Sequence, residues 1–303
     1  MIPKQRWLMI QICQKDKETV YEAICTGKID AAEMSFPNLI DDIILTMKRR
    51  GLTDSLAQAM PDKRRDNSHI PFGILLCLAV AAKLKRKTSL TDVPFAVTEA
   101  ELLAELGWNL WDNERDVNKG LFSKGVMRKL LAKYNSGEWA SFYNSYVQGH
   151  LMERLDIQPC VHILDCTKVL VNLDNGNYEN SSVVKIDGED MRGYKLGVLR
   201  GVLDDSGIAE EIVFGTLKTH DMEKCRNMLK NTPCFHENDI LINDRGFLSR
   251  DMANYLKTVR KVDTYIPAKE NMTVYKEAVK LATLSGKWQK HSTGKGRIRK
   301  SSW

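Results

Sequence analysis

The chain has 303 residues, of which 43% are hydrophobic and 28% charged, with a formal net charge of +6 and a pI near 8.8. This is the composition of a globular protein with a sizeable core and room for two domains, and its basic balance weakly favours an anionic partner. The longest apolar run, 74–82, has nine residues, which excludes a helical membrane span, and seven scattered cysteines without a C-x-x-C pair exclude a zinc ribbon or disulfide scaffold.

Residues 1–35 are mixed, with a short helix at Val20–Cys25. From Phe36 to Arg50, Leu39, Ile43, Ile44 and Met47 recur at helical spacing, and Lys48, Arg49, Arg50 and Gly51 form a helix stop. A helix over Leu52–Met60 ends at Pro61, and 62–69 is a polar loop. Pro71 opens a helix from Phe72 to about Arg86, apolar on nearly every side and ending in Lys83, Lys85, Arg86 and Lys87. A short helix begins at Ser89–Asp92, and Thr98–Glu101 caps another over Leu102–Leu106. A loop with two tryptophans spans 108–120, and helices follow over Leu121–Tyr134 and Glu138–Leu155. Residues 1–155 thus read as an all-helical N-terminal domain. Short helices with basic ends suit a helix-turn-helix type of DNA-binding module, and equally a bundle whose charges are simply solvated.

At residue 160 the period becomes strand-like. Val161, Ile163 and Leu164 carry the chain to Asp165, and Val169, Leu170 and Val171 carry it onward. Asn172–Asp190 reads mostly as loop, then Gly193–Leu203 as a strand. A hairpin turn at Asp204–Gly207 leads into a strand over Ile208–Thr216. A helix over 220–231 precedes Ile240–Ile242, which delivers Asp244 to the end of a strand, with Gly246 at the turn. A helix at Ser249–Val259, a strand at Thr264–Ile266 and a helix at Val274–Leu284 complete the core. The fold class is α/β: three antiparallel strands, then alternating helices and strands, which is the order of an RNase H-like core over 156–286. The tail, 287–303, holds six Lys/Arg and no acid and is expected to be disordered.

Two carboxylates brought to one sheet by separate apolar strands suggest a divalent metal site, because Mg²⁺ is commonly held by one or two carboxylates plus water and phosphate. The alternative for each acid is a turn former or cap. Lys195 faces either DNA or solvent, and Arg245 either binds phosphate or pairs with a carboxylate. His162 reads as a core or edge residue and Asp221 as a helix cap. Cys166 has no evident base partner.

Leu164-Asp-Cys-Thr-Lys168, Gly193-Tyr-Lys-Leu196 and Asn243-Asp-Arg-Gly-Phe247, in that order, resemble the DDE transposases of bacterial insertion sequences over about 160–285. The resemblance implies that Asp165 and Asp244 are the first two catalytic and metal-holding acids, with Mg²⁺ or Mn²⁺ activating the nucleophile for attack on a DNA phosphodiester. It implies double-stranded DNA at transposon ends as partner and leaves homo-oligomerisation open. It also implies a cytoplasmic, nucleoid-associated location, with which reduced cysteines agree. Lys83, Lys85, Arg86, Lys87, Lys195 and Arg245 are the candidate DNA contacts. The family's third acid, a Glu in a Tyr-x-x-Arg-x-x-x-Glu pattern, has no counterpart after Asp244, where Glu270 and Glu277 are the only glutamates. The sequence is therefore expected to be a C-terminally truncated transposase with little strand-transfer activity alone. The competing classes are a non-catalytic DNA-binding protein that inhibits a full-length enzyme, and an RNase H-like nuclease. The nuclease reading requires one of Asp187, Glu189, Asp190, Glu210 or Glu211 to converge on Asp165.

Overall fold

The computed structural model describes residues 18, 21–22, 25–27, 39–66, 68, 70–97, 100–107, 122–123, 125–204, 206–286, 288–291 and 299–302. The helix expected at 20–25, the cap at 98–101 and the tryptophan loop at 108–120 lie wholly or partly outside them. The chain divides into two compact units, Met1–Leu155 and Asp156–Trp303.

The first unit is helical: α1 (Leu39–Arg49), α2 (Leu52–Gln58), α3 (Phe72–Leu84), a 3₁₀ turn (Leu90–Phe95), α4 (Ala100–Glu105), α5 (Gly125–Leu131) and α6 (Ser136–Tyr146), which runs on as a π-helical turn (Val147–Met152). Helix α3 is its axis. Eight of its thirteen residues are buried, among them Leu75, Leu78 and Ala81 at 0% exposure, which explains why it is apolar on every side. Ile44 of α1, Leu56 of α2, Leu103 of α4 and Leu130 of α5 join the same core. Gly51 joins α1 to α2 in the left-handed region (φ 69°), where a Cβ is disfavoured. Asn135 and Glu138 form a reciprocal capping box at the start of α6. Tyr134 Oη donates to Pro61 O at 2.8 Å and accepts from Lys63 N at 3.0 Å, tying the loop before α3 to the end of α5.

The second unit is built on a mixed six-stranded sheet. Its strands are β1 (Val161–Val171), β2 (Ser182–Ile186), β3 (Glu189–Leu203), β4 (Ser206–Thr216), β5 (Ile240–Asn243) and β6 (Asp263–Tyr265). Antiparallel β3 flanks β1 on one side, with β4 and β2 paired to different halves of the long β3. Parallel β5 flanks β1 on the other side, and parallel β6 lies beyond it. Helices α7 (Asp221–Asn231) and α8 (Arg250–Tyr255, extended by a π-helical turn at Leu256–Arg260) connect the later strands. Met222, Cys225, Met228 and Leu229 of α7 and Met252 of α8 bury one sheet face, covering Leu164, Leu199 and Leu241. On the other face Ile163, Ile242 and Tyr265 lie in register on β1, β5 and β6 and are each more than a third exposed. Helix α9 (Thr273–Ser285) follows, with Ala282 as its buried residue.

Two expectations are corrected. Part of Asn172–Asp190 is strand: Val183 and Val184 of β2 pair with Arg192 and Met191, so β3 begins at Glu189 rather than Gly193. Polar Asn, Asp and Ser dominate that stretch, and a short β-branched pair within it forms the strand. Gly193 reads like a strand start but lies mid-strand, where a Cβ would collide with the Val169 carbonyl oxygen. In the tail expected to lack structure, β7 (Trp288–His291) pairs antiparallel with β8 (Arg299–Ser302).

Candidate functional site

The site starts from the register of β1 against β5. Leu164 pairs with Asn243, so Asp165 and Asp244 are the next residues along two adjacent parallel strands. Strand β5 ends at Asn243, whereas β1 continues with β3 as its neighbour to Val171. Asp165 therefore stands where β1 loses its parallel partner. From β1 the chain goes to β2 and β3 on one side and later to β5 on the other, so the winding of the sheet reverses at β1. In open α/β sheets that point, at the carboxyl ends of the strands, forms the ligand crevice.

Both carboxylates are exposed, and each is held by backbone. Asp165 Oδ1 accepts from Cys166 N at 2.7 Å. Asp244 Oδ1 accepts from Gly246 N at 2.7 Å and caps the 3₁₀ turn Arg245–Phe247. Strand alternation sends Asp165 to the face opposite Leu164. Among the described residues neither acid is in an ion pair. Hard carboxylate oxygens without a cation partner are a donor type that fits Mg²⁺ or Mn²⁺, with water and phosphate as the remaining ligands. Among the described residues no group of three or more His, Cys, Asp or Glu is placed to hold a metal ion.

Beside Asp244 lies a carboxylate that sequence reasoning assigned only to capping. Asp221, the first residue of α7, receives Lys195 Nζ on Oδ1 at 2.6 Å, and the same ammonium donates to Thr219 O at 2.7 Å. A Cβ placed on Gly246 would stand 2.9 Å from Asp244 Oδ1 and 3.1 Å from Asp221 Oδ2, so the two carboxylates face one small space that glycine leaves open. Lys195 is thus not simply solvated. It is a half-buried counter-ion that fixes Asp221. Residues 195 and 221 are far apart in sequence, on a strand and a helix start, and no local pattern links them.

Arg245 is exposed and in no ion pair among the described residues. Lys83, Arg86 and Lys87 are exposed at the end of α3. Lys85 instead lies 3.3 Å from Asp41 Oδ1, a carboxylate only 5% exposed, and serves the first unit's own fold.

His162 is a fully buried core residue. Its Nδ1 lies 2.7 Å from Glu210 Oε2 and its Nε2 lies 3.1 Å from Asp239 Oδ2, which also accepts from His236 N at 2.6 Å. Burial alone would depress the ring's pKa, but the Glu210 and Asp239 carboxylates override it and hold the ring above its ordinary value. Burial pushes the Glu210 carboxyl up, and His162 only partly offsets this. The cluster bolts β1 to β4 and to the residue that enters β5. Glu210 is therefore engaged with His162, on the helix-covered side. Glu189 and Asp190 pair with Ile186 and Lys185 at the start of β3, and Asp187 lies in the turn between β2 and β3, away from Val198, the partner of Asp165.

No family model and no curated protein matches the chain. Among solved structures it is similar to a piggyBac transposase synaptic complex with hairpin DNA, determined by cryo-electron microscopy, at 11% identity and a TM-score of 0.40. The match covers 83% of this chain and 56% of that one, so the chain spans a little over half the length of that transposase.

Proposed function

We propose that the chain is a transposase-type protein that holds a divalent metal ion on Asp165 and Asp244 and presents it to double-stranded DNA. The observation that carries this reading is the register: Asp165 and Asp244, both exposed, each come one residue after the Leu164–Asn243 pair that ends the β1–β5 ladder. The strand order supports an RNase H-like core: β1, β3 and β4 are antiparallel, β2 is an added antiparallel strand on β3, and two parallel strands lie on the other side of β1. The resemblance of Leu164–Lys168, Gly193–Leu196 and Asn243–Phe247 to insertion-sequence DDE transposases supports the assignment of Asp165 and Asp244. A bound Mg²⁺ or Mn²⁺ supplies charge that stabilises a leaving oxygen and eases deprotonation of an attacking one.

The chain's own residues prepare that surface. Gly246 N fixes one oxygen of Asp244, and Lys195 neutralises Asp221 so that it does not repel a third negative group at the crevice. Exposed Arg245 next to Asp244 is placed for a backbone phosphate, and Lys83, Arg86 and Lys87 offer further phosphate contacts on the first unit.

The test is retention of a fluorescent DNA duplex, read by anisotropy with and without Mn²⁺ and across a salt series. Mn²⁺ is expected to tighten binding, and that gain is expected to vanish in Asp165→Asn and in Asp244→Asn. Salt-sensitive DNA binding that ignores both the metal and the two acids would point instead to a non-catalytic DNA-binding protein.

A further inference from the structure

Immediately after Asp165, on the helix-covered face, Cys166 Sγ lies 3.7 Å from Cys225 Sγ of α7. The pair is a product of the packing. Cys166 is directly opposite Gly197 in the β1–β3 ladder, and a Cβ on Gly197 would stand 2.6 Å from Cys225 Sγ and 3.5 Å from Cys166 Sγ. The absent side chain is what lets the α7 sulfur descend onto the sheet beside its partner. Cys225 is fully buried, while Cys166 keeps partial access to solvent, which gives an oxidant one sulfur to reach first.

We infer that Cys166 and Cys225 are a peroxide-responsive dithiol that closes to a disulfide between β1 and α7. The Cys166 thiolate attacks one peroxide oxygen, the O–O bond breaks, hydroxide leaves, and Cys166 becomes a sulfenic acid. The Cys225 thiol then attacks the Cys166 sulfur, the S–O bond breaks, water leaves, and the S–S bond forms, so that two thiols have been oxidised and one peroxide reduced. The sulfurs have to approach from 3.7 Å to about 2.05 Å. The bond would pin the helix that begins with Asp221 to the strand residue that follows Asp165. This inference does not depend on the metal or DNA reading, since it concerns only the two sulfurs and Gly197.

The experiment is peptide mapping of the full chain after brief treatment with hydrogen peroxide and alkylation of the remaining thiols. A peptide linked through Cys166 and Cys225, absent before treatment and removed by dithiothreitol, is the expected product, with both thiols lost to alkylation in equal amount. In Cys225→Ala, Cys166 should instead be trapped by dimedone as the sulfenic acid. If both thiols of the folded wild-type chain remain alkylatable, or if Cys166 is linked only to another molecule's cysteine, the inference is wrong. The wild-type map decides the question even if the variant does not fold.

Discussion

Replacing His162 by Leu removes the positive ring from between Glu210 and Asp239 while keeping an apolar side chain of similar bulk against Phe235. Glu210 is 0% exposed and Asp239 5%, so water cannot take the ring's place. Removing one partner from a buried ion cluster costs about 3–5 kcal/mol, because the remaining charge is left uncompensated. For a unit of this size that is a fall in midpoint of roughly 10 °C. The pH dependence follows from the directions of the shifts. The ring's folded pKa lies above 6.5, so its contribution is complete below that value and is lost as pH rises through the folded pKa. Glu210 also titrates above its ordinary 4.5 in the folded protein, and once it takes up a proton it needs the ring less. The variant's deficit should therefore be largest where the ring is protonated and Glu210 ionised, and narrow both on acidification through the Glu210 pKa and at alkaline pH. Scanning calorimetry of the second unit's transition between pH 4 and 9 measures this. A deficit below about 1 kcal/mol, or one that does not change with pH, would refute the claim that a charged His162 holds the cluster together.

Three further outcomes are expected. Lys195→Met should destabilise the second unit by about 1–3 kcal/mol in urea titration, since Asp221 is left partly buried without its cation. Gly246→Ala should weaken Mn²⁺ binding in calorimetry with little change in overall fold by circular dichroism, because the new methyl crowds the oxygens of Asp244 and Asp221. Asn135→Ala should lower the first unit's stability by about 1 kcal/mol in chemical denaturation and leave Mn²⁺ binding unchanged, because it removes half of the α6 capping box.

The positions of the two acids are legible because apolar runs point to them: Val161–Leu164 leads to Asp165 within β1, and Ile240–Ile242 leads to Asp244 just past the end of β5. Alternation and turn residues also gave the β3–β4 hairpin and α7 to within a few residues. What the sequence left hidden depends on register and on contacts across the sheet. Lys195 finds Asp221 only when β3 and the start of α7 meet, and Glu210 finds His162 only across the intervening β3. Cys166 meets Cys225 because Gly197 leaves a gap opposite it, which no spacing of cysteines could announce. Strand β2 was missed because its flanks are rich in Asn, Asp and Ser, so two β-branched valines had to outweigh a local turn composition. Lys85 shows the same limit in the first unit: it looks like one of a basic group, yet Asp41, distant in sequence, claims it.

Calorimetric titration of the purified chain with Mn²⁺, alongside Asp165→Ala and Asp244→Ala, tests the shared metal site most directly. Saturable binding by the wild type, abolished by either substitution while the fold is retained, is the expected result. Equal binding by all three proteins, or none by a folded wild type, would contradict the assignment of Asp165 and Asp244 to one metal ion.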